Sequence, residues 1–227
     1  MKKIILATLI ANTFICADEN ILIVSELDKV DNIVKIDPVQ EIDDKELYIG
    51  LGVSAMSTRL SSVDMDIFND IYGQDRLGNV NLQAGYIFND YIALEGRYGF
   101  TVSEDDQVEM RNEWSLFLKP MYKFEDSYDR SKGEDYFAVY ALLGYGSIEL
   151  SGVNGVDALV EDTNFKWGLG FSYTFRDYSE YDEYKFKDTW TVYLDYVNTG
   201  DDMYGLYYMG EDYIDADSFT AGLLYKF

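Results

Sequence analysis

From Glu46 to the end of the chain, apolar side chains return at every second position in one segment after another. That is the repeat of an extended strand whose alternate residues face different media, and no helix can display it. Eight such segments are legible: Glu46–Met56, Asn79–Phe88, Tyr91–Thr101, Glu113–Lys123, Tyr136–Ile148, Asn164–Phe175, Thr189–Val197 and a last one from Phe219 to Phe227. The sixth is the cleanest. Phe165, Trp167, Leu169, Phe171, Tyr173 and Phe175 alternate there with Lys166, Gly168, Gly170, Ser172 and Thr174.

The character of the second face decides which medium the first one meets. A soluble sandwich buries its apolar face and shows bulk water a face rich in long charged side chains. Here the second face is small and polar with isolated charges, as inside a narrow closed barrel. The 21 tyrosines and 18 glycines fit strands rather than helices. Aromatic residues stand near both ends of the apolar faces, as Trp114 and Tyr122 do, or Phe165 and Phe175, matching girdles at two membrane interfaces. Ten-residue strands tilted by about 45° are long enough to cross a bilayer, and closure of an even-numbered sheet leaves no unpaired edge in lipid. The expected fold is all-β, a single eight-stranded antiparallel transmembrane up-and-down β-barrel over 45–227. A secreted sandwich or lipocalin-like barrel is the alternative. With the N-terminus in the periplasm, the outward loops fall at 57–78, 102–112, 149–163 and 198–218, and the inward turns at 89–90, 124–135 and 176–188. The last two turns are longer than a barrel of this kind needs.

The first residues read as an export signal. Lys2 and Lys3 precede an apolar run from Ile4 to Ile15, and Ala17 is followed by Asp18 and Glu19, so 1–17 is expected to be a signal peptide cleaved after Ala17. The run is short for a spanning helix, and Ile15 stands where a lipoprotein needs a small residue before Cys16. Residues 18–44, acidic and without a sustained period, read as a periplasmic N-terminal extension, with a short element packed on the barrel end as the alternative.

Composition removes several chemistries. With no histidine and one cysteine, the chain has no Ser-His-Asp or Cys-His arrangement, no intrachain disulfide and no thiolate or imidazole metal cluster. A formal net charge of -24 argues against a nucleic-acid partner, whose phosphates demand clustered Lys and Arg.

The terminal stretch FTAGLLYKF alternates Phe219, Ala221, Leu223 and Tyr225 and ends in Phe227. With this ending, residues 46–227 resemble the small eight-stranded outer-membrane barrels of Gram-negative bacteria, the group typified by the membrane domains of OmpA and OmpW. The resemblance implies an outer-membrane location after signal cleavage. It also implies partners in outer-membrane lipid, lipopolysaccharide and the barrel-assembly machinery, which would read Phe219, Ala221, Leu223, Tyr225 and Phe227 as an assembly signal. Unlike OmpA, the chain stops at the last strand, so a peptidoglycan-binding domain is not expected. Some small outer-membrane barrels modify lipid A, but that chemistry needs an activated nucleophile, usually with His as base; no enzyme is expected, and Ser54 and Ser172 read as small packing residues.

Two groups of residues are candidates for function. Glu95 and Arg97, two apart on one strand, share the lumen face with Lys119, Lys166, Asp195 and Lys226. They are read as a buried ion network, either a satisfied polar core that closes the lumen or a narrow conduction path. The second group is the loop acids: Asp64, Asp66, Asp70 and Asp75, then Glu104, Asp105, Asp106 and Glu109, then Asp157, Glu161 and Asp162. In the last loop Asp201, Asp202, Glu211, Asp212, Asp215 and Asp217 are weak candidates for a hard cation such as calcium, in a pattern that matches no EF-hand, so that no cofactor is the firmer expectation. Met203, Tyr204, Tyr207, Tyr208, Met209 and Tyr213 run among them as a candidate contact surface for an extracellular protein or surface ligand. The primary expectation is a structural or surface-interacting barrel; the alternative is a narrow channel or carrier of small solutes or hydrophobic compounds, of the OmpW-like type.

Overall fold

The computed structural model describes residues 46–65, 74–103, 108–124, 135–152, 156–178, 186–207 and 210–227. The expected signal peptide and N-terminal extension lie outside the described residues, as do Asp66, Asp70, Glu104, Asp105, Asp106, Tyr208 and Met209. Eight strands follow one another: β1 (Glu46–Leu60), β2 (Gln74–Asn89), β3 (Ile92–Ser103), β4 (Val108–Phe124), β5 (Tyr136–Gly152), β6 (Val156–Tyr178), β7 (Phe186–Tyr207) and β8 (Gly210–Lys226). Each pairs antiparallel with its neighbours, and β1 closes on β8 through pairs such as Ile49 with Tyr225 and Val53 with Ala221. Closure gives every strand two partners, which is what a bilayer requires of a sheet. The β2–β3 turn is tight: Asn89 Oδ1 accepts the Tyr91 amide at 2.9 Å, holding Asp90 and Tyr91 in the bend.

All eight periodic segments are strands, and most are longer than their alternation suggested. Strands β6 and β7 run for 23 and 22 residues, about twice the length that crosses a bilayer. Much of the sequence expected as outward loops is therefore strand. The reason is a reversal of phase. In β5, Phe137, Val139, Leu143 and Tyr145 point outward and are exposed, while farther along it is Ile148 and Leu150, two fully buried inward residues, that are apolar. The outward positions there are Ser147 and Glu149. The same switch occurs in β1, from exposed Leu51 and Val53 to buried Met56, and in β8, from exposed Leu223 and Phe219 to buried Ala216 and Ile214. Side-chain direction stays regular along each strand; what changes is the medium outside, from lipid to water.

At the end away from both barrel termini, here called the outer end, the inward residues form a conventional apolar core. Met56, Leu77, Val108, Met110, Ile148, Leu150, Val160, Met203, Ile214 and Ala216 pack together there, with Leu60 against them. The membrane section between is marked by rings. Trp167, Tyr196 and Phe219 contact one another at its outer edge. Tyr122, Phe124, Phe137 and Phe171, with Trp190, Tyr225 and Phe227, do so toward its inner edge.

Candidate functional site

The lumen of the membrane section is built from the inward face of every strand, and its glycines leave room for large residues opposite. A Cβ on Gly170 would meet the Tyr140 ring, and one on Gly85 the Tyr48 ring. Into this space project Glu95 and Arg97 from β3, Lys119 from β4 and Asp195 from β7. Glu95 is fully buried. It accepts from Arg97 Nε at 2.7 Å, Lys119 Nζ at 2.8 Å and Tyr48 OH at 2.6 Å. Arg97 then crosses the barrel to Asp195 with two bonds of 3.1 and 2.6 Å, and Tyr140 OH donates to the same carboxylate at 3.0 Å. The arrangement is fork to fork, the strongest geometry such a pair can take. Phe117 and Tyr193 flank the guanidinium at 5.6 and 5.9 Å from ring centroids, and Lys119 lies 4.1 Å from that of Tyr140. Two acids and two bases thus neutralise one another across the lumen, which is the condition for burying charge at all.

The six lumen charges anticipated from the sequence do not form one lattice. Glu95, Arg97, Lys119 and Asp195 come together. Lys166, fully buried, lies nearer the outer end and bonds Glu113 at 2.7 Å. Lys226 lies at the inner end, where its ammonium donates to Tyr136 OH at 3.0 Å. Glu113, Tyr48 and Tyr140 were not singled out, although each shares the inward parity of its strand and that parity was the available signal.

Small cavities remain among the described residues of this interior. One of about 30 Å³ sits at the inner end among Tyr48, Lys119, Tyr136, Tyr140, Thr174 and Lys226. Another, of about 10 Å³, lies beside Arg97, Glu113 and Phe117. A larger groove of about 330 Å³ lies between β3 and β4, lined by Phe100, Thr101, Val102, Glu109, Met110 and Arg111. The two strands pair only from Ile92–Pro120 to Gly99–Glu113. Beyond that point, bulges at Val102 and Arg111 bend them, and Met110 N donates to Thr101 Oγ1 at 3.0 Å.

The acidic outer residues also divide. Asp217 is engaged by Arg59, by Tyr196 OH and by Asn198 Nδ2 at 3.1 Å. Asp215 accepts from Ser61 Oγ at 2.7 Å and from the Asp202 amide at 3.1 Å. Asp201, Asp202 and Asp215 each bring a carboxylate oxygen within 4.8 Å of the others, a set that could chelate a divalent ion. The side chains of Glu211 and Asp212 lie outside the described residues. Burial first, then the charges of Asp215 and Asp202, push the Asp201 carboxyl above the usual carboxylate range. Tyr204 and Tyr213 are exposed and stack edge-on at 5.7 Å between centroids. Phe219, Leu223, Tyr225 and Phe227 of the terminal stretch face outward and are exposed, with Ala221 on the same face.

Residues 37–227 match the family described as outer membrane protein beta-barrel domain. The chain belongs to this family. Membership gives its transmembrane β-strand character and supports an outer-membrane location. No curated protein matches it in sequence. Among solved structures it is similar to Neisserial surface protein A, at 14% identity over 80% of this chain and 97% of that one, with a TM-score of 0.45. It is also similar to Ail, the attachment invasion locus protein of Yersinia pestis, at 14% identity over 81% and 99% with a TM-score of 0.37. OprG from Pseudomonas aeruginosa matches at 14% identity over 82% and 97%, with a TM-score of 0.36.

Proposed function

We propose that this family member is a structural and surface-interaction protein of the Gram-negative outer membrane, not an enzyme, which holds a closed barrel in lipid and displays an acidic strand extension outside the cell. One observation carries this reading: the lumen is filled in layers. Lys226 and Tyr136 occupy the inner end, the Glu95–Arg97–Asp195–Lys119 lattice the middle, and Lys166 with Glu113 the next level, beneath the apolar core that closes the outer end. A water-filled path would have to break each layer, the apolar one included. Export by cleavage after Ala17, passage through the barrel-assembly machinery using Phe219 to Phe227, and contact with lipopolysaccharide belong to the same proposal. The Tyr204–Tyr213 pair on the β7–β8 extension is the surface it offers to an extracellular protein.

A second reading, a narrow channel or carrier, draws on the same ion lattice, because charges that exchange partners would let ions pass. Single-channel conductance of the refolded chain in a planar bilayer, beside Glu95→Ala, separates the two. The closed-barrel reading expects silence from correctly inserted protein; stable steps altered by Glu95→Ala would overturn it in favour of transport.

A further inference from the structure

The smaller lumen cavity lies between two ion layers, and its lining is largely polar. Arg97 enters it from β3, Glu113 from β4, Asn81 from β2, and Ser218 and Thr220 from β8. The first three bring hydrogen-bonding capacity that the layers do not use. Arg97 commits Nε and Nη2 to Glu95 and Asp195, and one N–H of Nη1 to Asp195; a guanidinium has a further donor on that nitrogen. Glu113 takes both Lys166 Nζ, at 2.7 Å, and Ser115 Oγ, at 3.2 Å, on Oε1, which leaves Oε2 to accept. Asn81 gives Nδ2 to Ser54 Oγ at 2.9 Å, and its Oδ1 lies over Gly99, where a Cβ would strike it. Glycine at position 99 keeps open the space that this oxygen faces.

We propose that this cavity is the binding site of one internal water molecule, which joins the Arg97 layer to the Lys166–Glu113 layer in a single hydrogen-bonded column. Three features select water. A volume of about 10 Å³ is about the smallest that holds one molecule of that size. The lining mixes donors, Arg97 and Thr220, with acceptors, Glu113 and Asn81, so the occupant must both accept and donate. A halide can only accept, and a metal ion can be held only by acceptors. Charge leaves an ion nothing to balance: Arg97 and Lys119 match Glu95 and Asp195, and Lys166 matches Glu113. A water in this place satisfies polar groups that burial has cut off from solvent. The site rests on the closed-barrel reading and deepens it, because the column is one more part of what fills the lumen.

A crystal structure of the refolded chain, at a resolution that shows ordered solvent, tests this directly. One peak within hydrogen-bond distance of Glu113 Oε2 and Asn81 Oδ1 is expected, and a cavity without density overturns the site. Urea unfolding in detergent micelles adds a test of sign. Thr220→Val exchanges a hydroxyl for a methyl group of the same size and touches no charge. With the water in place the change removes one of its partners and is expected to lower the midpoint. In a dry cavity it replaces a buried polar group by an apolar one, so a midpoint that stays or rises sinks the proposal. A barrel that is silent in conductance but dry at this cavity would overturn the water alone and leave the closed-barrel reading standing.

Discussion

At the scale of single residues, the chain places its charges where removing one partner costs more than the pair is worth. Arg97 joins Glu95 and Asp195, so Arg97→Met takes the guanidinium from the buried Asp195 carboxylate, which keeps the Tyr140 hydroxyl, while Glu95 keeps Lys119 and Tyr48; the change is expected to destabilise the barrel by about 3–5 kcal/mol. Asp195→Asn in the same background is expected to restore part of that loss. Urea unfolding of the two single variants and the double variant checks it; additive effects would mean that Arg97 and Asp195 are not coupled. The glycines carry a different constraint. Gly170→Ala drives a methyl group into the Tyr140 ring and is expected to cost about 1–3 kcal/mol, with much of the cost relieved in a Tyr140→Leu background. Asp201 gives the residue scale its pH dependence. Its carboxyl is raised in the folded state, so the fold binds its proton more tightly than the unfolded chain does. Its contribution is favourable below the usual carboxylate value and lost as pH rises through the raised one. Asp201→Asn should therefore stabilise the protein at neutral pH and make no difference in acid, as thermal unfolding at the two pH values would report.

At the scale of elements, each long strand is two strands joined end to end in one register. The membrane part shows lipid its apolar side chains, and the outer part turns apolar side chains inward against each other. Labelling with a membrane-impermeant maleimide should find the boundary: Glu149→Cys is expected to react on intact cells and Leu143→Cys not to. Reaction at Leu143→Cys would place the lipid edge elsewhere. The outer core behaves as a soluble protein's would, so Ile148→Ala is expected to cost about 2–5 kcal/mol. Amide exchange should rise in the outer halves of β4, β5 and β6 while the membrane halves stay protected. The β3–β4 pairing stops early because Val102 and Arg111 are each an extra residue in their strands. Bulges of this kind are invisible in an alternation that is read only where it is regular.

For the whole molecule, closure of β1 on β8 converts eight marginal strands into one object without edges. The number of strands and their order were legible because lipid on one side and a crowded lumen on the other impose a strict alternation. The outer extensions do not show that alternation, because beyond the girdle of Trp167, Tyr196 and Phe219 the outside is water. Met56 and Ile148 therefore stand where two of the legible segments end, and Leu150 in an expected loop, although all three belong to a soluble core.

The sequence by itself determined the all-β class, the eight strands, the outward apolar faces and the inward position of Glu95, Arg97, Lys119, Lys166, Asp195 and Lys226, since each follows from a period of two along a single strand. Tertiary structure alone decided which of those charges meet. Pairing depends on the stagger between strands distant in the chain: it brings Asp195 on β7 to Arg97 on β3, sends Lys166 to Glu113 and sets Lys226 beside Tyr136. A period fixes which face a residue occupies, and only closure of the barrel fixes its height along the axis.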